Sequence, residues 1–189
     1  MPNHVINILS FEGDKAKIHQ MLEDIKDDEC GLHSVDFNKI IPMPPSLDLE
    51  ASSRTQAGLD AYRDFIDVYT LGGTFNTEHL SDIPVASEQR FLEARTDINH
   101  EDFALGKQAW DNLRQYGAAT WYDWCCANWG AKWNAYGYDG YEPASMADDC
   151  IWFQTAWAEP KPVIEALARR YPDITIEHEW TNEDLGEGC

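Results

Sequence analysis

The chain reads as an α+β protein, and three observations carry that reading. Asn3 to Phe11 is a short run rich in Val, Ile and Leu, closed by Glu12-Gly13, which predicts a strand. Ile18, Met21, Leu22 and Ile25 then fall on one stripe of a helix. Near the other end, Ile174, Ile176, His178 and Trp180 alternate with Thr175, Glu177, Glu179 and Thr181. That alternation predicts a half-buried strand with an acidic outer face.

The elements follow in order. Asp14 can cap the first helix, which is expected to run to Cys30-Gly31, with Asp27, Asp28 and Glu29 opposing the dipole in its last turn. Val35 to Ile41 is expected to be a second strand, stopped by Pro42-Met43-Pro44-Pro45. Leu59, Tyr62, Ile66 and Tyr69 predict a helix, and Leu71-Gly72-Gly73-Thr74 separates it from another over Ser87 to Asp97. Phe103, Trp110 and Leu113 predict a third that ends at Gly117. An aromatic block follows, Trp121-Tyr122-Asp123-Trp124-Cys125-Cys126-Ala127-Asn128-Trp129-Gly130. Lys132 to Tyr138 could pair with Asp149 to Trp157 as a hairpin around the Gly137–Ala147 loop. Pro160 and Pro162 open a last helix, with Val163, Ile164, Leu167 and Tyr171 on its buried side and Arg169 and Arg170 at its end.

Two strand-helix-strand halves predict a split βαβ, or ferredoxin-like, sheet with a helical insertion between the halves. The expected organisation is a single domain over 1–189. Its first βαβ half is 1–45, the insertion 46–130, and the hairpin with the second half 131–189.

Charge narrows the function classes. With 14 basic and 34 acidic residues the chain carries a net −20. Residues 1–50 hold ten acids against four bases, 51–118 eleven against six, and 119–189 thirteen against four, so the excess belongs to no single tail. Such a surface repels phosphate backbones and anionic lipid heads, which argues against direct nucleic-acid or membrane-surface binding. Met1-Pro2-Asn3-His4 lacks a basic or apolar export segment. Five cysteines, Cys30, Cys125, Cys126, Cys150 and Cys189, form no CxxC pair, so reduced thiols in a cytoplasm are expected.

Several strings carry a resemblance. They are Met1-Pro2-Asn3 at the first strand and Phe37-Asn38-Lys39-Ile40-Ile41-Pro42-Met43-Pro44. Further along come Asn128-Trp129-Gly130-Ala131-Lys132-Trp133-Asn134-Ala135 and Phe153-Gln154-Thr155-Ala156-Trp157 ahead of Pro160. This ordered set resembles the YubB-like ferredoxin-fold family of phages and plasmids. The resemblance implies the ferredoxin-like fold and supplies no catalytic residues and no cofactor. Relatives tend to continue into a glycine-rich tail after the last strand; here the chain reads Asn182-Glu183-Asp184-Leu185-Gly186-Glu187-Gly188-Cys189.

No residue set names a reaction. The six histidines show neither HxH nor HExxH spacing, and no glycine loop cradles phosphate, so catalytic, metal and cofactor sites are all expected to be absent. The Trp-rich block is expected to join the inserted helices to the sheet, with a stacking or carbohydrate-binding platform as the other reading. Cys125 and Cys126 are expected to be a buried, inert pair. The remaining candidates are carboxylates. Glu177 and Glu179 share a strand face, Asp139, Tyr141, Glu142, Asp148 and Asp149 would form an acidic aromatic loop tip, and Glu183 with Asp184 follows the last strand. These nine residues are the expected partner-binding set. They point to an acidic, non-enzymatic protein-binding factor of a mobile element. Its partner would be a basic or nucleic-acid-binding host protein, engaged by charge mimicry of the anti-restriction or anti-CRISPR kind. The alternative is a small enzyme, or a domain for a small ligand or carbohydrate, with its site between the sheet and the inserted helices.

Overall fold

The structure is a computed structural model, and it describes residues 3–71, 85–138 and 150–182. The chain divides into two compact units, one of residues 1–43 with 125–189 and one of residues 44–124.

In the first unit, strand β1 (His4–Glu12) buries every second side chain, Val5, Asn7, Leu9 and Phe11. Helix α1 (Lys15–Ile25) buries the predicted stripe of Ile18, Met21, Leu22 and Ile25. Asp14 caps it as expected, its Oδ1 accepting from the Ala16 and Lys17 amides at 3.0 and 3.1 Å. The helix ends before the acids assigned to its last turn. Asp27 instead closes a turn of its own by accepting from the Glu29 and Cys30 amides, so no cost against the helix dipole arises there.

Strands β2 (Cys150–Ala156) and β3 (Thr175–Asn182) flank β1, both antiparallel to it, in the order β2-β1-β3. Helix α7 (Lys161–Arg170) joins them. Because β2 and β3 are parallel to each other with β1 between them, this half is a split βαβ. Its helix buries Val163 and Leu167, and Tyr171 at its end donates to Asp24 of α1 at 2.8 Å.

The predicted strand over Val35 to Ile41 is corrected. Residues Phe37–Ile40 form one helical turn, α2. Val35 and Phe37 are both buried, as a strand would have them, but side chains take the backbone groups a ladder would need. Asp36 Oδ1 accepts from the Asn38 amide at 2.9 Å, and Asn134 Oδ1 accepts from the Phe37 amide at 2.8 Å. The predicted strand over Lys132 to Tyr138 shrinks to one bridge between Tyr136 and Gln154 on the far side of β2.

The second unit is helical where it is described. Helices α3 (Ser53–Leu71) and α5 (His100–Tyr116) cross with backbones in contact, and α4 (Val85–Ala94) adds Phe91 to a core of Tyr62, Phe65, Ile66 and Phe103. The crossing needs glycine. A Cβ on Gly58 would lie 1.7 Å from the Asp102 carbonyl oxygen, and one on Gly106 would lie 2.0 Å from the Gly58 backbone. Gly117 ends α5 at φ 74°, as predicted. The aromatic block forms helix α6 (Trp121–Asn128).

Candidate functional site

The site grows out of the hydrogen-bond direction of the sheet. Tyr136 and Gln154 exchange both backbone bonds, at 3.1 and 2.7 Å, so Gln154 turns its amide and carbonyl away from β1. The Lys132 amide reaches the Ala156 carbonyl on the same side at 3.2 Å. Alternation in an antiparallel ladder then assigns the rest. Val5, Asn7 and Leu9 bond β2, while Ile6, Ile8, Ser10 and Glu12 bond Thr181, Glu179, Glu177 and Thr175 of β3. Ile176, His178 and Trp180 therefore direct their amides and carbonyls to the outer edge of β3, which pairs with no other strand among the described residues.

The side chains on β3 divide by face. Glu177 stands level with Ser10 and Cys150, and Glu179 level with Ile8 and Trp152. Both glutamates are exposed, about 7 Å apart along the strand, and neither is in an ion pair among the described residues. Beside them lie half-buried Ile6, Ile8 and Ser10, so this sheet face is apolar at its centre and acidic at its margin.

The other face locks β3 to β1. His178 Nε2 lies 3.0 Å from Asn7 Oδ1, the Asn7 amide group donates to Thr155 Oγ1 at 2.9 Å, and Thr155 Oγ1 donates to the Ala158 carbonyl at 2.8 Å. Asn7 and Thr155 are fully buried, so this polar rung crosses all three strands inside the core. Burial holds the His178 imidazole below its ordinary value, with the Glu159 charge opposing. Trp180, next on that face, remains 48% exposed.

Of the nine expected partner-binding residues, the structure describes Glu177 and Glu179 and sets them side by side. Asp139, Tyr141, Glu142, Asp148, Asp149, Glu183 and Asp184 lie outside the described residues. Sequence reasoning passed over Asn7 and Thr155, although a lone Asn inside Val5-Ile6-Asn7-Ile8-Leu9 is itself the signal of a paired buried amide. Lys132, the basic residue nearest the aromatic block in sequence, sets its ammonium 4.8 Å from the Trp133 ring centre and 4.7 Å from that of Trp157.

The other candidates resolve individually. Trp124 and Trp129 are buried, and Trp129 donates to the Ile41 carbonyl at 2.9 Å and meets Phe37 edge-on at 5.6 Å. Cys125 is buried beside Met43, and burial pushes its thiol up to about 12. Cys126 is exposed, so the expectation of a buried pair holds for one of the two; the neighbouring side chains of α6 point to different sides. No group of three or more His, Cys, Asp and Glu side chains that could hold a metal ion occurs among the described residues. A hollow of about 140 Å³ in the helical unit is lined by Ser52, Thr55, Gln56, Leu59, Thr120 and Asp123 among others. No helix of the described residues is long and apolar enough to cross a membrane.

No curated protein and no solved structure matches the chain. Residues 132–189 match the family described as the ferredoxin-like domain in Api92-like protein. The matched stretch contains β2, α7 and β3, and over it the chain is similar to that ferredoxin-like domain.

Proposed function

We propose that this chain is an acidic binding protein that docks on a cationic protein surface, with β3 as part of its contact face. The observation that carries the reading is the pair Glu177 and Glu179, exposed and, among the described residues, free of ion pairs on a strand at the sheet's edge beside an apolar sheet face. The net charge of −20 supports it, because a carboxylate-rich surface favours partners lined with Lys and Arg. Proteins that grip DNA present such linings, and carboxylates spaced along a rigid strand compete with phosphates for them. The resemblance to YubB-like proteins of phages and plasmids gives the concrete form. The chain would belong to a mobile element and occupy the nucleic-acid channel of a host restriction or CRISPR nuclease.

The test is competition. The chain is titrated into a labelled duplex held by such a nuclease, at about 0.05 M and about 0.3 M salt. Displacement that falls steeply with salt, and weakens when Asp148, Asp149, Glu177 and Glu179 are neutralised together, is the expected result. Displacement that survives this neutralisation unchanged overturns the reading.

A further inference from the structure

From the geometry of β3 we infer a specific mode of docking: an extended basic segment of the partner adds to the sheet as a further strand beside β3. This deepens the acidic-binder reading and rests on it. The edge presents the amides and carbonyls of Ile176, His178 and Trp180 in one row, which no other strand among the described residues covers, on a strand whose residues are mostly exposed. Unpaired rows of this kind are templates for strand addition.

The side chains specify the occupant. Along an added antiparallel strand, the positions opposite Glu177 and Glu179 are the non-hydrogen-bonded ones, where Cα atoms approach to about 4.5 Å and side chains meet most closely. Lys or Arg two residues apart would face both carboxylates from one side of the ribbon. A second copy of the chain fits poorly. In a two-fold pairing that keeps the sheet faces aligned, every register centred on Glu177, His178 or Glu179 sets a glutamate opposite a glutamate. Like charges directly opposed destabilise a pair. The occupant is therefore a basic strand of a different protein.

The probe is a synthetic peptide with lysines at alternate positions among threonines and valines, compared with the same composition carrying its lysines adjacent. Amide hydrogen exchange is read residue by residue. Expected on binding is slowing of about tenfold or more at Ile176, His178 and Trp180, with little change at Glu177 and Glu179, which are already bonded to β1. The alternating peptide should bind about tenfold tighter than the control. Trp180→Pro, which removes one outward amide without touching the ladder to β1, should abolish the difference between peptides, and Trp180→Val should keep it. Equal binding of both peptides, lost on Glu177→Gln with Glu179→Gln but without edge protection, overturns strand addition and leaves the acidic-binder reading standing. Loss of nuclease competition alone, with edge protection intact, overturns that reading instead.

Discussion

His178 is the residue where packing, protonation and the candidate face meet. Its imidazole is held against Asn7 inside the sheet, and burial makes the folded protein release its proton more readily than the unfolded chain does. A base whose folded value is depressed leaves the unfolded state holding more protons, so stability rises with pH across the window between the two values. The contribution is full above the ordinary value of 6.5 and is lost as pH falls from there towards the folded value. Thermal midpoints measured between about pH 7.5 and about pH 5 should therefore fall, and His178→Gln should flatten that part of the profile. The cysteines give a second test at this scale. Iodoacetamide at about pH 8 should modify Cys30 and Cys126, both exposed, well before Cys125, whose thiol is buried and raised to about 12. Peptide mass mapping distinguishes the sites.

Helix crossing sets the stability of the second unit. α3 and α5 touch through Gly58 and Gly106, where an added methyl group would collide with main chain and neither helix could yield alone. Gly58→Ala or Gly106→Ala should cost about 3 kcal/mol, seen as a drop in the urea midpoint followed by far-ultraviolet circular dichroism. The entry to α5 is a smaller lever. Asn99 Oδ1 accepts from the amides of Glu101 and Asp102 at 2.8 and 3.2 Å, and Asn99→Ala should cost about 1 kcal/mol in the same assay. Arg54 adds a tie between α3 and Asp102 of α5 at 2.8 Å, exposed enough that its removal should matter less than the cap.

Across the whole molecule the carboxylates outnumber their partners, whatever the fold does. Lys17, Lys39, Arg54, Arg95 and Lys107 are among the cations already held in ion pairs, so the few bases that exist are largely engaged within the protein. The uncompensated acids repel one another in the compact state. Raising salt from about 0.02 M to about 0.3 M should raise the thermal midpoint by a few degrees, whereas a protein of balanced charge would lose its surface ion pairs and soften. The same salt should weaken any complex with a cationic partner. Stability and binding are thus expected to respond to salt with opposite signs.

Periodicity made much of this legible. The stripe of α1, the Asp14 cap, the Gly117 stop, the prolines opening α7 and the alternation of β3 are local patterns that need no distant partner to be recognised. They place Glu177 and Glu179 together on one strand face from the sequence alone. The run from Val35 to Ile41 was not legible, because its backbone bonds go to the side chains of Asp36 and of Asn134, the latter 97 residues beyond Phe37. Nor was the place of β3 at the edge of the sheet that the described residues form. Strand order depends on which segments meet in space, and neighbouring residues carry no record of it. The sequence by itself determined the charge, the strand and its two glutamates. Only the tertiary structure decided that β1 lies at the centre, that Asn7 and Thr155 tie His178 into the core, and that Ile176, His178 and Trp180 turn their backbone groups outward. Hydrogen-bond direction alternates along a strand, and it takes a located neighbour to say which residues face the sheet and which face away.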